Sequence, residues 1–326
     1  MGASVIVPSV DGGERLRGLV DSLAAQSVEH ELIVLDNGSQ DGSVRAACAG
    51  HPSAEVVCMG ENAGFGRAVN RGVELATGEA LVLVNDDCRC DPGFVEAIAA
   101  ALDPASDVVM AAGILRDARD PGLIDSAGME LDRTLLPFDY LNGRPLSVLG
   151  SGVANPIAPS AAAAAFDRAA FREVGGFDEN LFAYWEDVDL VLRVLLAGGR
   201  CALAPAARGH HEHSATLGSG SSDKNYLMGF GRGYILRKWR VASATRLPAI
   251  LLRDVTVCAG QLLLDRNAAG IRGRVDGLRA SRPVHEYPRE LLERERTVGA
   301  SATLWRRAAR RRRLRRREAT EQRSGA

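Results

Sequence analysis

The chain has 326 residues and a mass of 34.7 kDa, enough for one large domain with an appendage. Hydrophobic residues make up 46% and charged residues 25%, which excludes a disordered or collagen-like chain. The net charge of -1 conceals an asymmetry, because nine arginines lie in the stretch 306–317 and leave the rest of the chain acidic.

The first hundred residues alternate short apolar segments with helical ones. Strands are predicted at 4–8, 31–35, 55–59 and 80–84, and helices at 16–26, 43–49 and 66–76. The strands consist of nearly unbroken apolar runs, which is typical of a parallel sheet covered by helices on both faces. The pattern therefore predicts an α/β, doubly wound half-domain.

Polar residues follow each of these strands. They are Pro8, Ser9 and Asp11 after the first, 36–39 after the second, 61–62 after the third and 85–87 after the fourth. Ligands of doubly wound sheets bind at the carboxyl ends of the strands. Four polar segments at one edge predict a binding site there.

The second half of the chain is less regular. The segment 117–158 is rich in Gly, Pro and Asp, which predicts loops and short strands. A helix is predicted from 161 to 174, then a turn over GGFDENLF and a second helix over 186–197. A strand follows at CALAP, and helices dominate from 226 onward.

Asn85 and Asp87 lie two residues apart just after a buried strand. In an extended segment their side chains would point the same way and could reach one hard cation with its bound phosphates. Asn and Asp are also common turn residues, so a simple turn stays open.

A second acidic cluster, Glu186, Asp187 and Asp189, begins the predicted helix 186–197. The helix macrodipole alone favours acidic residues in a first turn. Phe182 and Tyr184 lie just before the cluster, however, and an apolar wall raises a carboxylate's pKa towards the range of a general base.

Three histidines, His210, His211 and His213, follow the CALAP strand. By residue type alone they could form a surface loop, part of a zinc site or a single ligand that joins the Asn85–Asp87 pair. The six cysteines include no CxxC pair, which favours reduced, mostly buried thiols.

Taken together, four segments resemble the family 2 glycosyltransferases, in the rhamnosyltransferase-like and galactofuranosyltransferase-like branch. They are SVIVPSVDGGERLRGLVDSLAAQS, ELIVLDNGSQDGS, ENAGFGRAVNRGVELATGEALVLVNDD and AFREVGGFDENLFAYWEDVDLVLRVLLAGGRCALAP, with His211 beyond. The resemblance covers roughly residues 4 to 215 in order and spacing. It implies an α/β GT-A fold, a Rossmann-like nucleotide-diphospho-sugar transferase fold, with a C-terminal helical extension.

The resemblance also implies a role for individual residues. Asp187 matches the catalytic base, and Asn85, Asp87 and His211 match the ligands of a divalent metal, Mg or Mn. Glu186 and Trp185 are expected to contact substrate. The nucleotide-sugar pocket is expected to involve Pro8, Ser9, Asp11, Asp36, Asn62, Arg67, Asn70 and Asp86.

The implied reaction is inverting transfer of a sugar, such as rhamnose or another deoxysugar, from a nucleoside diphosphate sugar. The acceptor would be a hydroxyl of a glycan, a lipid-linked molecule or a secondary metabolite. Asn85 replaces the usual first aspartate of the metal motif and removes one negative charge from it. Cys88 and Cys90 match no family role and are interpreted as packing residues.

The expected organisation is a glycosyltransferase domain at 1–225, divided into a nucleotide-sugar half (1–116) and an acceptor half (117–225). A helical extension spans 226–304, and an Arg-rich tail spans 305–326. No secretory signal and no apolar run of about 18–20 residues are apparent, so a cytoplasmic protein is expected. The basic C-terminal segments leave open contact with an anionic membrane surface at the inner face of the plasma membrane, and nucleic acid is not an expected partner.

Three other classes compete with this interpretation. A nucleotidyltransferase would share the fold class but would normally show a basic Gly-rich phosphate loop near the N-terminus, for which DGGER is a poor substitute. A catalytically inactive sugar-nucleotide-binding protein would share the fold, but intact Asp87 and Asp187 count against it. A dinucleotide site at AGFGRAVN is disfavoured because Val69 occupies the position of the third glycine.

Overall fold

The computed structural model describes residues 2–118, 120–211 and 221–288. His213 and the Arg-rich tail at 305–326 lie outside the described residues, as does the part of the predicted extension beyond 288.

The first half of the chain forms the predicted alternation of strands and helices. The elements are β1 (Ala3–Ser9), α1 (Gly13–Ala24), β2 (Glu31–Asp36), α2 (Ser43–Cys48), β3 (Ala54–Cys58), α3 (Phe65–Leu75) and β4 (Ala80–Val84). The four strands are parallel, in the order β3-β2-β1-β4. Each prediction is confirmed to within a few residues.

The second half extends the same sheet. Its elements are β5 (Cys88–Cys90), α4 (Phe94–Ala100), β6 (Val108–Asp117), β7 (Asp120–Ser126), β8 (Met129–Leu131), β9 (Pro137–Asp139), β10 (Ala163–Asp167), α5 (Arg168–Glu173), α6 (Glu186–Leu196) and β11 (Arg200–His211). From β4 the sheet continues β10-β6-β11-β5, with β7 paired to β6, while β8 and β9 form a separate hairpin. The short strands confirm the irregular character predicted for 117–158.

The helix predicted over 161–174 is wrong in its first half. Residues 163–167 form β10, which runs antiparallel between β4 and β6. Alanine favours helices in isolation, but small side chains also suit the crowded centre of a sheet, and packing there outweighs local propensity. The helix α5 begins only after Asp167, whose Oδ1 accepts a hydrogen bond from the Ala170 N–H at 2.8 Å.

Both faces of the sheet are buried, as the unbroken apolar runs predict. Ile6 and Leu83 belong to the cluster that includes residues of α3 and α6, whereas Val5 and Val82 belong to the cluster that includes α1 and α4. Helices therefore cover the sheet on two sides, and its strand ends stay accessible at the edge.

Three helices form the C-terminal extension: α7 (Ser222–Lys238), α8 (Leu247–Gly260) and α9 (Ala269–Ala280), with a π-helical turn, Gln261–Asp265, continuing α8. Glycines let α7 and α9 approach closely. A Cβ built on Gly273 would lie 2.8 Å from the Phe230 nitrogen, and one built on Gly233 would lie 2.9 Å from the Leu278 nitrogen. No other residue type fits at these positions without displacing backbone.

The described residues include one helix that is a candidate membrane span, although the sequence shows no unbroken apolar run of about 18–20 residues. Within the described part of the chain, the helix Leu247–Asp265 has 19 residues and a mean hydropathy of 1.5 in its most apolar window. Only 11% of that window is buried, so by length and composition this helix could cross a bilayer. No local apolar run signals it, because Arg253 and Asp254 interrupt the sequence.

Candidate active site

The loops after β1 and β2 are joined at the carboxyl edge of the sheet. The Asp11 N–H donates to Ser39 Oγ at 2.9 Å, and Asp11 Oδ1 accepts from the Gln40 N–H at 3.0 Å. Asp11 adopts a left-handed backbone with a φ of 46°, which Asp tolerates better than most residues. The predicted convergence of these two loops is confirmed.

The buried Asn37, which the sequence did not single out, holds the loop after β3 in place by hydrogen bonds. Asn37 Nδ2 donates to Asn62 Oδ1 at 3.2 Å, and Asn37 Oδ1 accepts from the Ala63 N–H at 2.9 Å. Its neighbour Asp36 is also buried and accepts from the Ser39 N–H at 3.0 Å. The position of Asn37 within the polar segment 36–39 was the only signal for it.

Arg67 and Asn70 of α3 bind the turn before α6. Asn70 exchanges two hydrogen bonds of 2.9 Å with the backbone of Phe177, and Arg67 Nε donates to Glu179 Oε2 at 3.0 Å. Asn70 thus has a structural role that joins the two halves of the domain. The nucleotide contacts expected of Arg67 and Asn70 remain predictions.

The segment Asn85–Asp87 forms a turn between β4 and β5. The Cys88 N–H donates to the Asn85 carbonyl at 3.1 Å, so the extended geometry assumed for Asn85 and Asp87 is wrong. Between them, the buried Asp86 accepts from Ser9 Oγ at 2.6 Å, and burial raises its pKa. This bond links two of the residues expected in the nucleotide-sugar pocket.

Asp87 lies beside His211, as the resemblance implied. Antiparallel pairing of β5 with β11 sets Cys88 opposite His211, and Asp87 Oδ1 lies 3.2 Å from His211 Nε2. Potential ligand atoms of Asp87, Cys88 and His211 all lie within 4.8 Å of one another. Cys88, interpreted from sequence as a packing residue, therefore also contributes a thiol to this cluster.

Asp125 of β7 is a member of the site that the sequence did not reveal. Its Oδ2 lies 3.1 Å from His211 Nδ1, and its side chain is almost fully buried. Burial would lower the pKa of His211, but hydrogen bonds to Asp125 and Asp87 raise it to about 9. A carboxylate behind a histidine is the usual arrangement that fixes the ring of a metal ligand.

The residues present fit a divalent cation. Asp87 offers a carboxylate oxygen, which suits Mg²⁺ and Mn²⁺, and His211 offers an imidazole nitrogen oriented by Asp125. Asn85 is half-buried at the start of the same turn. The side chain of Asn85 as a third ligand remains a prediction.

The helix α6 begins from a strained backbone. Tyr184 and Trp185 have φ angles of 68° and 75°, a left-handed conformation that is uncommon for aromatic residues and clusters at functional sites. The Trp185 ring is buried, and its Nε1 donates to the Met228 carbonyl at 3.0 Å. These contacts favour a packing role for Trp185 over the substrate contact expected from sequence.

Two carboxyl groups follow directly. Glu186 is buried, and its Oε2 has no hydrogen-bond partner among the described residues; burial and the charge of Asp187 raise its pKa to about 8. Asp187 is half-buried, and burial together with the charge of Asp139 raises its pKa to about 6, although its Oδ1 accepts from the Val188 N–H. The predicted direction of the pKa change is confirmed.

Asp189 has partners of its own, on α6 and in the C-terminal extension. Its fully buried carboxylate accepts from Arg193 Nε at 2.9 Å and from Trp239 Nε1 at 3.0 Å, and it lies 2.8 Å from Lys238 Nζ. The bonds to Trp239 and Lys238 tie α6 to the C-terminal extension.

Solved structures with this architecture are nucleotide-sugar transferases of the GT-A fold, and the fold of this chain is GT-A. GalNAc-T7, solved with UDP, GalNAc and Mn²⁺, matches with a TM-score of 0.59 and 14% identity, over 90% of this chain and 56% of its own length. A mannosyltransferase of Pyrobaculum calidifontis, solved with GDP-Man and Mn²⁺, gives a TM-score of 0.50 at 19% identity, over 86% of this chain and 75% of its own.

Sequence comparison matches part of the chain to a known family. The model of glycosyl transferase family 2 matches residues 4–138. An N-acetylglucosaminyl-diphospho-decaprenol L-rhamnosyltransferase of Mycobacterium tuberculosis is 29% identical over 239 residues, covering 66% of this chain and 77% of the relative. The O-antigen biosynthesis protein RfbC of Myxococcus xanthus is 27% identical over 240 residues, covering 70% of this chain and 18% of that protein. Residues 4–138 are thus similar to the family 2 glycosyltransferases, and the relatives include a rhamnosyltransferase, which supports a glycosyltransferase of that kind.

Proposed function

We propose that this glycosyltransferase transfers a sugar from a nucleoside diphosphate sugar to an acceptor hydroxyl, with inversion and with a divalent cation, Mg²⁺ or Mn²⁺. The observation that carries the proposal is a half-buried carboxylate of raised pKa, Asp187, in a domain that also sets Asp87 beside His211. Donor binding is assigned to residues 1–116, acceptor binding to 117–225 and the helical extension to 226–304.

Asp87 and His211 would hold the cation, with Asn85 as the further candidate. When bound, the cation neutralises the diphosphate as it leaves the sugar. Asp125 orients His211 so that its Nε2 stays directed at the site. Ser9 and Asp86, joined by their hydrogen bond, and the loops anchored by Asn37 would line the pocket for the nucleotide.

Asp187 would remove the proton from the acceptor hydroxyl. The acceptor oxygen would attack the anomeric carbon from the face opposite the diphosphate. The glycosidic bond would form as the bond between the anomeric carbon and the diphosphate oxygen breaks, so that the nucleoside diphosphate leaves and the centre is inverted. Glu186, with a pKa of about 8, keeps its proton at neutral pH and can donate a hydrogen bond to a sugar hydroxyl.

The relatives guide the choice of substrates. One is named for transfer of L-rhamnose to a diphospho-decaprenol-linked N-acetylglucosamine, and another for O-antigen biosynthesis. We therefore propose rhamnose or a related deoxysugar as donor and a glycan, lipid-linked or small-molecule hydroxyl as acceptor, in cell-wall or polysaccharide biosynthesis. A cytoplasmic location at the inner face of the plasma membrane, with basic C-terminal segments at an anionic surface, fits such an acceptor.

The test is a transfer assay on the purified chain with dTDP-, UDP- and GDP-sugars, with and without Mn²⁺. Asp187→Asn should lower kcat by about 10²–10⁴-fold while donor binding, followed by calorimetry, stays at the wild-type level. Asp223→Asn is the matched control, since Asp223 is likewise an acidic residue in a first helical turn but is exposed on α7.

Equal kcat in the Asp187→Asn variant and the wild type would refute the base assignment. Donor binding without transfer in the wild type would instead indicate an inactive sugar-nucleotide-binding protein. Turnover that is unchanged by chelation would refute the metal dependence.

A further inference from the structure

The outer side of α8 and its π-helical turn carries a concentration of exposed apolar side chains. We call this surface the α8 face. Its members are each more than half exposed, and they are Leu251, Leu252, Val255, Leu263 and Leu264. Single exposed leucines are ordinary on soluble proteins, but a contiguous group of this kind marks a binding surface.

The inner side of the same helix is fixed to the protein by polar contacts. Arg253 forms an ion pair with Asp132, and Asp254 pairs with Arg232 and Arg274, each at 3.3 Å. In the π-helical turn, Gln261 Nε2 donates to Asn225 Oδ1 at 3.0 Å. The helix is therefore held with its charges inward and its leucines outward.

These ion pairs distinguish a membrane-spanning arrangement of α8 from one in which the helix lies in the plane of the interface. To span the membrane, α8 would have to leave Asp132, Arg232 and Arg274 and carry Arg253 and Asp254 into hydrocarbon, which is costly. Lying in the plane of the interface keeps every pair and buries only the leucines. The structure favours the second arrangement.

The basic residues that follow α8 along the chain indicate which lipid its face would meet. Exposed arginines follow it along the chain, at Arg266 after the π-helical turn, Arg272 and Arg279 on α9, and Arg282 beyond it. The sequence adds nine arginines at 306–317. Apolar insertion combined with basic residues is the pairing of signals that gives stable binding to anionic membranes.

We propose that the α8 face inserts into the interfacial layer of an anionic phospholipid bilayer, with α8 parallel to the membrane plane. The proposal deepens the proposed function by placing the enzyme where a lipid-linked acceptor resides, but binding to lipid requires no sugar transfer. The ion pairs of Arg253 and Asp254 would stay intact in the bound state.

The first experiment is flotation of the full chain with vesicles of phosphatidylcholine, alone or with roughly a third phosphatidylglycerol. We expect the wild type to float with the anionic vesicles and to do so much more weakly with the neutral ones. The double variant Leu252→Glu/Leu263→Glu should lose at least about tenfold in partition coefficient, because two apolar anchors are lost. Leu196→Glu, at an exposed leucine on α6, is the matched control and should float like the wild type.

Equal flotation of the double variant and the wild type would overturn the assignment of the α8 face. The assignment would also be overturned if the wild type did not bind anionic vesicles but formed a dimer that is absent in the double variant. In that case a second copy of the chain would cover the α8 face. Retention in native membranes after alkaline carbonate extraction would refute the in-plane orientation, for which release is expected.

The transfer assay separates this proposal from the proposed function. With a soluble acceptor, the double variant should keep the wild-type kcat and melting temperature, because both leucines are exposed and lie outside the catalytic groups. Wild-type protein that binds vesicles but transfers no sugar would refute the proposed function alone. Active protein that never binds vesicles would refute the membrane proposal alone.

Discussion

Gly231→Ala should lower kcat, although Gly231 lies on α7, a helix that carries none of the proposed catalytic groups. A Cβ built on Gly231 of α7 would lie 2.7 Å from Cγ of the Trp185 ring and 2.9 Å from its Cβ. Cδ1 of the same ring would lie closer still, and carbon atoms in contact normally lie about 3.5–4.0 Å apart, so the ring would have to retreat by more than about 1 Å. Trp185 directly precedes Glu186 and Asp187, which would move with it.

The size of the effect follows from this displacement. Overpacking costs about 1–3 kcal/mol of unfolding free energy, and alanine regains about 0.8–1.0 kcal/mol over glycine within a helix. We expect a net loss of up to about 2 kcal/mol. A 1 Å misplacement of reacting groups can cost about 10²-fold in kcat, so kcat should fall much more than stability.

The assay is transfer at saturating donor together with calorimetric melting. The matched control is Gly260→Ala, because a Cβ there meets no atom within 4 Å and Gly260 has an ordinary helical backbone. That variant should gain about 0.5–1 kcal/mol and keep the wild-type kcat. If Gly231→Ala shows the melting temperature and kcat of Gly260→Ala, the coupling through Trp185 is refuted.

Three further results are expected. Asp125→Asn should weaken Mn²⁺ binding to the purified chain by about 10–100-fold in calorimetry, because His211 loses the carboxylate that orients it; unchanged affinity would remove Asp125 from the metal site. The kcat/KM of transfer should rise with pH through about 6 as Asp187 loses its proton, and Asp139→Asn should shift that rise to lower pH. The folded pKa of Asp187 lies above its unfolded value of 3.8, so this group should make the unfolding free energy fall as the pH increases from 3.8 to about 6. Asp189→Asn should lower the unfolding free energy by about 3–5 kcal/mol in denaturant titration, because it breaks a buried ion pair with Lys238. The loss should lie nearer the lower end, since Lys238 still pairs with Asp178 at 2.6 Å; a loss under about 1 kcal/mol would contradict the buried pairing.

The sequence predicted the elements from β1 to β4 well because local pattern and burial largely agree there. The strands β1, β2 and β4 consist largely of buried apolar residues, whereas β3 lies at the edge of the sheet and is partly exposed; polar residues follow each of the four. Prediction failed at β10, where an alanine run favours a helix locally but lies between two strands that come from distant parts of the chain. Long-range pairing of that kind leaves no local signal.

The candidate site shows the same division. Asp187 and His211 stood out by residue type and by their position in matching segments, and the structure gives both the expected surroundings. Asp125 could not be found, because an acidic residue in a short irregular strand looks like a turn residue until β7 places it behind His211. The packing of the Trp185 ring against α7 could not be predicted either, because it is a tertiary contact; the substrate contact of Trp185 stays a prediction.

The insertion of β10 beside β4 also governs how this protein can be made. In the folded protein β10 covers the edge of β4, whose five residues, Ala80–Val84, are all buried. Until residues 163–167 have left the ribosome, that apolar strand is an unpaired edge of the parallel sheet. The pairing of His211 with Cys88 comes later still, across more than a hundred residues. Residues 1–116 expressed alone should therefore aggregate through that edge, and the cluster of Asp87, Cys88 and His211 should be among the last features to form during synthesis.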